Sequence, residues 1–253
     1  MALRGATRNF LSSSRGCILS AKPARPRRHF VGRSDIELLF EDQDLIVICK
    51  PAGLLTIATE KERQRTAYAM LTEHVRRFRR DRIFIVHRLD REASGLIVFA
   101  KTPEAKVALQ KQFEEHSAGR VYLAVTEGRI ARDAFTVESL LAENAAFRCY
   151  STRDPAKGKR AVTHIKVLQR TPQRTLVEAR LETGRKHQIR VHLADEGFPI
   201  VGDPAYGNGR SPIRRMALHG TGLTFRHPHT GEPMTFTAPL PADVAALVGE
   251  ATR

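Results

Sequence analysis

The sequence predicts an α+β fold built on a mixed, largely antiparallel sheet with helices flanking it. Three observations carry this expectation. Short apolar runs of strand length recur along the chain, helical periodicity is confined to a few separated stretches, and helices do not alternate with strands as parallel crossover units require.

Taken in order, residues 1–34 stand apart. They hold eight basic residues (Arg4, Arg8, Arg15, Lys22, Arg25, Arg27, Arg28 and Arg33) and no acid, with a Pro/Arg cluster near the end. That composition fits a basic tail or a mitochondrial targeting segment. The folded domain is expected over residues 35–248. The run 45–49 reads as a strand, closed by a turn at Lys50, Pro51, Ala52 and Gly53. Ala67, Met70, Leu71, Val75 and Phe78 then recur at helical spacing. Arginines 76, 77, 79, 80 and 82 crowd the end of that helix, where cations suit the dipole and could equally face a polyanion.

Residues 83–86 and 96–100 read as strands flanking the polar stretch 87–95. Thr102 offers an N-cap, Pro103 suits the first helical position, and Gly119 is expected to mark the helix end. Val121, Leu123 and Val125 alternate with Tyr122 and Ala124 as a strand should. Residues 161–168 and 175–181 look like a strand pair turning around Pro172, followed by a short helix at 187–194 and loops rich in Gly and Pro.

Charge narrows the function. The chain has 253 residues and a formal charge of +15; beyond residue 34 there are still 34 basic and 27 acidic side chains, a net +7. A body that is basic without its tail favours a polyanion, and nucleic acid is the leading partner on charge. No apolar run approaches the roughly 20 residues that a bilayer demands. Cys17, Cys49 and Cys149 are odd in number and widely spaced, which excludes a disulfide framework and a thiolate metal site and points to a reducing compartment. A cytoplasmic location is expected, with the mitochondrion as the alternative on the strength of residues 1–34.

Three segments could carry chemistry. In the first, Asp90 lies in a loop between two strands, with Arg88 and Arg91 beside it to hold its carboxylate ionised. Such a group can act as nucleophile or base, or simply close a salt-bridged loop. The second, Gly184 to Leu193, packs Arg185, Lys186, His187, Gln188 and Arg190 into a few residues, a density of donors suited to phosphate. His187 and His192 are five apart, about 140° round a helix, so they cannot share a metal. In the third, Asp203 sits between Gly202 and Pro204 and reads first as a turn former. His219, His227 and His229 raise a zinc reading that the surrounding turns explain without one. No metal and no cofactor are expected.

The longer strings go further. HRLDREASGLIVFAK at 87–101 closely resembles the catalytic motif of the RluA-type pseudouridine synthases. FEDQDLIVICKPAGL at 40–54, GRKHQIRVHLADEGFPIVGDPAYG at 184–207 and LHGTGLTFRHPHTGEPMTFTAPLP at 218–241 resemble further motifs of that family, in the right order. The resemblance implies the pseudouridine synthase catalytic fold with a central RNA-binding cleft. It implies an isomerase that breaks the N1–C1′ bond of a uridine in ribosomal RNA or tRNA, turns the uracil, and rejoins it through C5. Asp90 becomes the catalytic aspartate, Arg190 its partner, Tyr122 the ring stacked on the uracil, and Arg88 the side chain that fills the space left by the flipped base. Arg185, His187 and Gln188 become RNA-binding residues. Ala93, Lys186 and Phe198 depart from the usual Thr, Thr and His. A monomer is expected. A glycosylase using Glu92 or Asp203 as second carboxylate, and a non-catalytic RNA-binding or ribosome-assembly protein, are the competing readings.

Overall fold

A computed structural model describes residues 29–30, 36–59, 62, 64–78, 82–208 and 211–249. The strands are β1 His29–Phe30, β2 Glu37–Glu41, β3 Leu45–Lys50, β4 Phe84–Ile85, β5 Ser94–Ala100, β6 Gly119–Glu127, β7 Ala134–Glu143, β8 Cys149–Thr152, β9 Lys159–Arg170, β10 Arg174–Leu181, β11 Leu218–Arg226 and β12 Pro233–Thr237. The helices are α1 Ala67–Phe78, α2 Pro103–Glu114, α3 Gln188–Asp195 and the short α4 Ala242–Ala245. Among the described residues, no helix is long and apolar enough to cross a membrane.

All twelve strands form one sheet, in the order β1-β2-β3-β5-β11-β6-β10-β9-β7-β8, with β12 beside β11 and β4 beside β5. Among the described strands, every pairing is antiparallel except β5 with β11, where Ser94 and Gly95 lie against His219 and Gly220. The expected mixed, largely antiparallel α+β architecture is therefore the one observed. The single parallel contact joins two halves of the sheet, and only glycine fits there. Gly95 has φ +122°, and a Cβ on it would sit 2.4 Å from the Gly220 backbone.

The apolar runs of β3 and β5 arise because both faces of these strands are covered. Ile46, Ile48, Ile97 and Phe99 pack beneath Ala67, Leu71 and Val75 of α1. Leu45, Val47, Leu96 and Val98 face the other way, against Ala105 and Leu109 of α2. A strand buried on both sides reads as an unbroken apolar run rather than an alternation.

α2 starts as expected, with the Thr102 hydroxyl accepting the Ala105 N–H at 3.1 Å and Pro103 in its first turn. Its end is corrected. Glu115 caps it and His116, at φ 57°, makes the left-handed exit, while Gly119 opens β6. Gly119 is small because the Thr224 side chain lies against it. The strand expected over 83–86 shrinks to Phe84–Ile85. Strands β7 and β8 form a hairpin that the sequence reading did not find. The expected tail at 1–34 lies outside the described residues except for His29 and Phe30, which pair with β2 as β1. Arginines 79 and 80 lie outside them too.

Candidate active site

The loop between β4 and β5 presents Asp90, and the β3–α1 connection fixes that loop from below. Lys50, wholly buried, donates through Nζ to the carbonyls of Ala93 at 2.7 Å, Leu54 at 2.8 Å and Pro51 at 2.9 Å. Burial pulls its pKa down to about 7, against the opposing pull of Asp90 and Glu92. The Thr56 hydroxyl donates to the Leu89 carbonyl at 2.8 Å and accepts the Leu89 N–H at 3.2 Å. Gly53, at φ +82°, donates its N–H to the Arg91 carbonyl at 2.7 Å. The sequence marked Lys50 only as part of a turn; its anchoring of the Asp90 loop was not foreseen.

Arg190 reaches Asp90 from α3. This helix is embedded, with Ile189 and Leu193 in the main core and Val191 in a smaller cluster with Leu141, Cys149 and Ala161. It brings the guanidinium, 2 % exposed, to Asp90 Oδ2 at 3.1 Å. The other edge of the guanidinium is held by Asp203, from Nε to Oδ2 and from Nη2 to Oδ1, both at 2.8 Å. The Asp203 carboxylate is fully buried and also accepts the N–H groups of Ala205 and Tyr206. It is thus the turn former that the sequence suggested and, beyond that, the clamp on Arg190. Burial pushes the Asp203 carboxyl up, and the hydrogen bonds and charge of Arg190 more than offset it, so its pKa lies below the ordinary value. Burial likewise opposes the charge on Arg190, and Asp203 and Asp90 together outweigh it, raising its pKa. A donor count would have revealed the clamp: a buried guanidinium has five N–H groups and needs more acceptors than one carboxylate offers.

Tyr122, on β6, is 7 % exposed, and its phenol makes no hydrogen bond among the described residues. Burial raises its pKa, Arg120 works the other way, and Asp90 adds to the rise, so it is a neutral phenol. His187 precedes α3 in a left-handed conformation, φ 55°. Its Nδ1 hydrogen-bonds the Tyr206 hydroxyl at 2.9 Å and its Nε2 lies 4.0 Å from Asp90 Oδ1. Burial lowers its pKa, which favours the neutral imidazole.

Asp90, Tyr122, Arg190, His187, Gln188, Arg88 and Arg185 all line one small cavity of about 70 Å³. Asp90, Arg88, Arg185 and His187 also line a cleft of about 990 Å³, so the cavity adjoins it. Arg88 and Arg185 are exposed there. Gln188 departs from its expected role. Its amide oxygen accepts from Thr183 and Arg185 and its amide nitrogen donates to Val162 and Thr163, so its hydrogen-bonding capacity is filled inside the protein and it positions the loop rather than reaching RNA.

Two of the histidines read as possible metal ligands, His192 and His227, make hydrogen bonds through both ring nitrogens. His192 meets Thr163 and Ser139 through its two ring nitrogens. His227 accepts the N–H groups of His229 and Thr230 at Nδ1 and donates from Nε2 to Asp42 at 2.8 Å.

Comparison with known proteins agrees with this architecture. The family described as RNA pseudouridylate synthase matches residues 44–195. The ribosomal large subunit pseudouridine synthase D of Neisseria meningitidis serogroup A is 35% identical over 91% of this chain and 70% of that protein. An uncharacterized RNA pseudouridine synthase of Bacillus subtilis, YlyB, is 40% identical over 85% of this chain and 72% of that protein. Among solved structures, human RNA pseudouridylate synthase domain containing 1 superposes with a TM-score of 0.67 at 25% identity, over 84% of this chain and 86% of that chain. Matched by the family over more than half its length, and by relatives over most of theirs, the chain belongs to the RNA pseudouridylate synthases and is an enzyme that isomerises uridine in RNA.

Proposed function

We propose that the enzyme modifies ribosomal RNA, with Asp90 as the catalytic aspartate, Arg190 as its charge partner and Tyr122 as the ring that packs against the flipped uracil. Arg88, Arg185 and His187 contact the RNA, Arg88 filling the gap left by the flipped base. The observation that carries this reading is the position of Asp90: a partly exposed carboxylate where a small cavity meets a wide basic cleft, held by a guanidinium that Asp203 fixes from behind. The rRNA substrate follows the names of the relatives. Extrusion of the uridine costs a few kcal/mol, which phosphate contacts and stacking can offset. Asp90 then acts on the base or sugar while Arg190 balances its charge, and the C5 proton leaves beside Tyr122.

Incubation with ribosomal RNA should convert uridine to pseudouridine without releasing free uracil. Free uracil would indicate a glycosylase, and neither product a binding protein. Mapping pseudouridine in cells with and without the protein identifies the position, and loss of a tRNA site alone would refute the rRNA assignment. We place the enzyme in the cytoplasm as a monomer without metal. The basic segment at the N-terminus serves as an RNA arm in this reading. Deleting residues 1–28 should leave the circular dichroism spectrum unchanged while RNA binding weakens and its salt dependence becomes shallower. An unchanged salt dependence would exclude the arm.

A further inference from the structure

Of the cleft cations that none of these roles uses, Arg91 and Lys186 pair with Glu62 and Glu143, and Arg120 does not pair. Arg120 lies two residues before Tyr122 on β6, so the two side chains leave the same face of the strand. Its guanidinium forms no salt bridge or hydrogen bond with the described residues, and its Nε is covered by protein without a partner. Asp90, which lines the same cavity, pairs with Arg190 instead.

Packing rather than hydrogen bonding holds Arg120 in place. The guanidinium lies 5.3 Å from the centre of the Phe113 ring. It also occupies the notch left by Gly184, where a Cβ would come within 2.4 Å of Nη1 and 2.8 Å of Nη2. Arg120 and Gly184 line both the small cavity and the wide cleft, so this cation stands at the junction between them. A half-buried guanidinium with free N–H donors is an incomplete site, and an anion is the partner that its charge favours. In an enzyme acting on RNA, that anion is a phosphodiester, whose oxygens match the fork of a guanidinium.

We propose that Arg120, seated on Phe113 and Gly184, forms a phosphate subsite that grips the RNA backbone next to the target uridine at the mouth of the cavity. The proposal rests on the reading of the cleft as the RNA site. Its test is the salt dependence of binding to a uridine nonamer, followed by fluorescence anisotropy. Arg120→Gln should weaken binding about tenfold or more, and flatten the plot of log K against log salt by about 0.7, the value for one phosphate on a single strand. Arg120→Lys should keep the wild-type slope, because charge rather than shape sets it. On a nonamer with uncharged methylphosphonate linkages, wild type and Arg120→Gln should bind alike.

Gly184→Ala provides an independent route, since its φ is unexceptional and the new methyl displaces only the end of a flexible side chain. It should weaken binding in the same direction and add nothing to Arg120→Gln. If Arg120→Gln does not fold, the Gly184 variant carries the test. An unchanged slope in folded variants, or an equal loss on the uncharged backbone, overturns the subsite. Arg185→Gln separates the two levels of failure. If it flattens the slope while the Arg120 and Gly184 variants do not, only the subsite is wrong; if none of them responds, the cleft is not the RNA site.

Discussion

Asp90→Asn should abolish turnover and leave RNA binding almost intact. The amide keeps the size of the side chain and an oxygen that can still accept from Arg190 at the 3.1 Å contact, so the loop anchored by Lys50 and Thr56 has no reason to move. Only the negative charge is lost. A group that forms or breaks bonds is missed on a scale of about 10⁴-fold or more in single-turnover rate. Affinity for RNA should change by less than about threefold, well under 1 kcal/mol. Release of tritium from C5 of labelled uracil in RNA reads the chemistry directly, and near-normal release by the variant would end the assignment of Asp90.

Arg190→Met should be the most damaging single change to stability. It strands Asp203, whose carboxylate has no exposed surface, more than it strands Asp90, which is 24 % exposed. Breaking a buried pair from one side costs about 3–5 kcal/mol, on the order of 10 °C in melting temperature for a domain of this size. The double variant Arg190→Met/Asp203→Asn should recover much of that loss, because no charge is left buried, yet stay inactive. Recovery from Asp90→Asn in place of Asp203→Asn would show that the wrong carboxylate has been identified as the stranded one. The pair also sets an acid limit. Folding holds the Asp203 pKa below its ordinary 3.8, so its stabilisation is complete above that pH and is lost as the pH falls through the lower folded value. Thermal melts of the wild type should show that decline, and the double variant should show less of it.

Some of this architecture is legible because local physics and tertiary physics agree. The runs in β3 and β5 are apolar on both faces because α1 and α2 cover both, and the Thr102–Pro103 start of α2 is written in two adjacent residues. The β7–β8 hairpin was hidden for the opposite reason. β7 mixes Glu138 and Ser139 with its apolar residues and only some of them are buried, so no clear period emerges. The strings around Asp90 and Arg190 single out candidate residues but do not say how they are held. Lys50 reads as a surface residue beside a turn, since lysine is rarely buried, and its carbonyl partners lie as far away as Ala93. Asp203 follows Arg190 by 13 residues through an irregular segment, and no spacing rule links the two.

The one parallel contact in the sheet bears on how the enzyme comes into being. Asp90 belongs to the half built from β1 to β5, whereas Tyr122 and Arg190 belong to the half built around β6 to β10, and β11 stitches the halves together at Gly95 and Gly220. The stitch spans 125 residues of chain from Ser94 to His219, a long loop to close before its contacts give anything back. A chain still emerging from the ribosome therefore carries an aspartate without the strand that aligns it with its partners until β11 has been made.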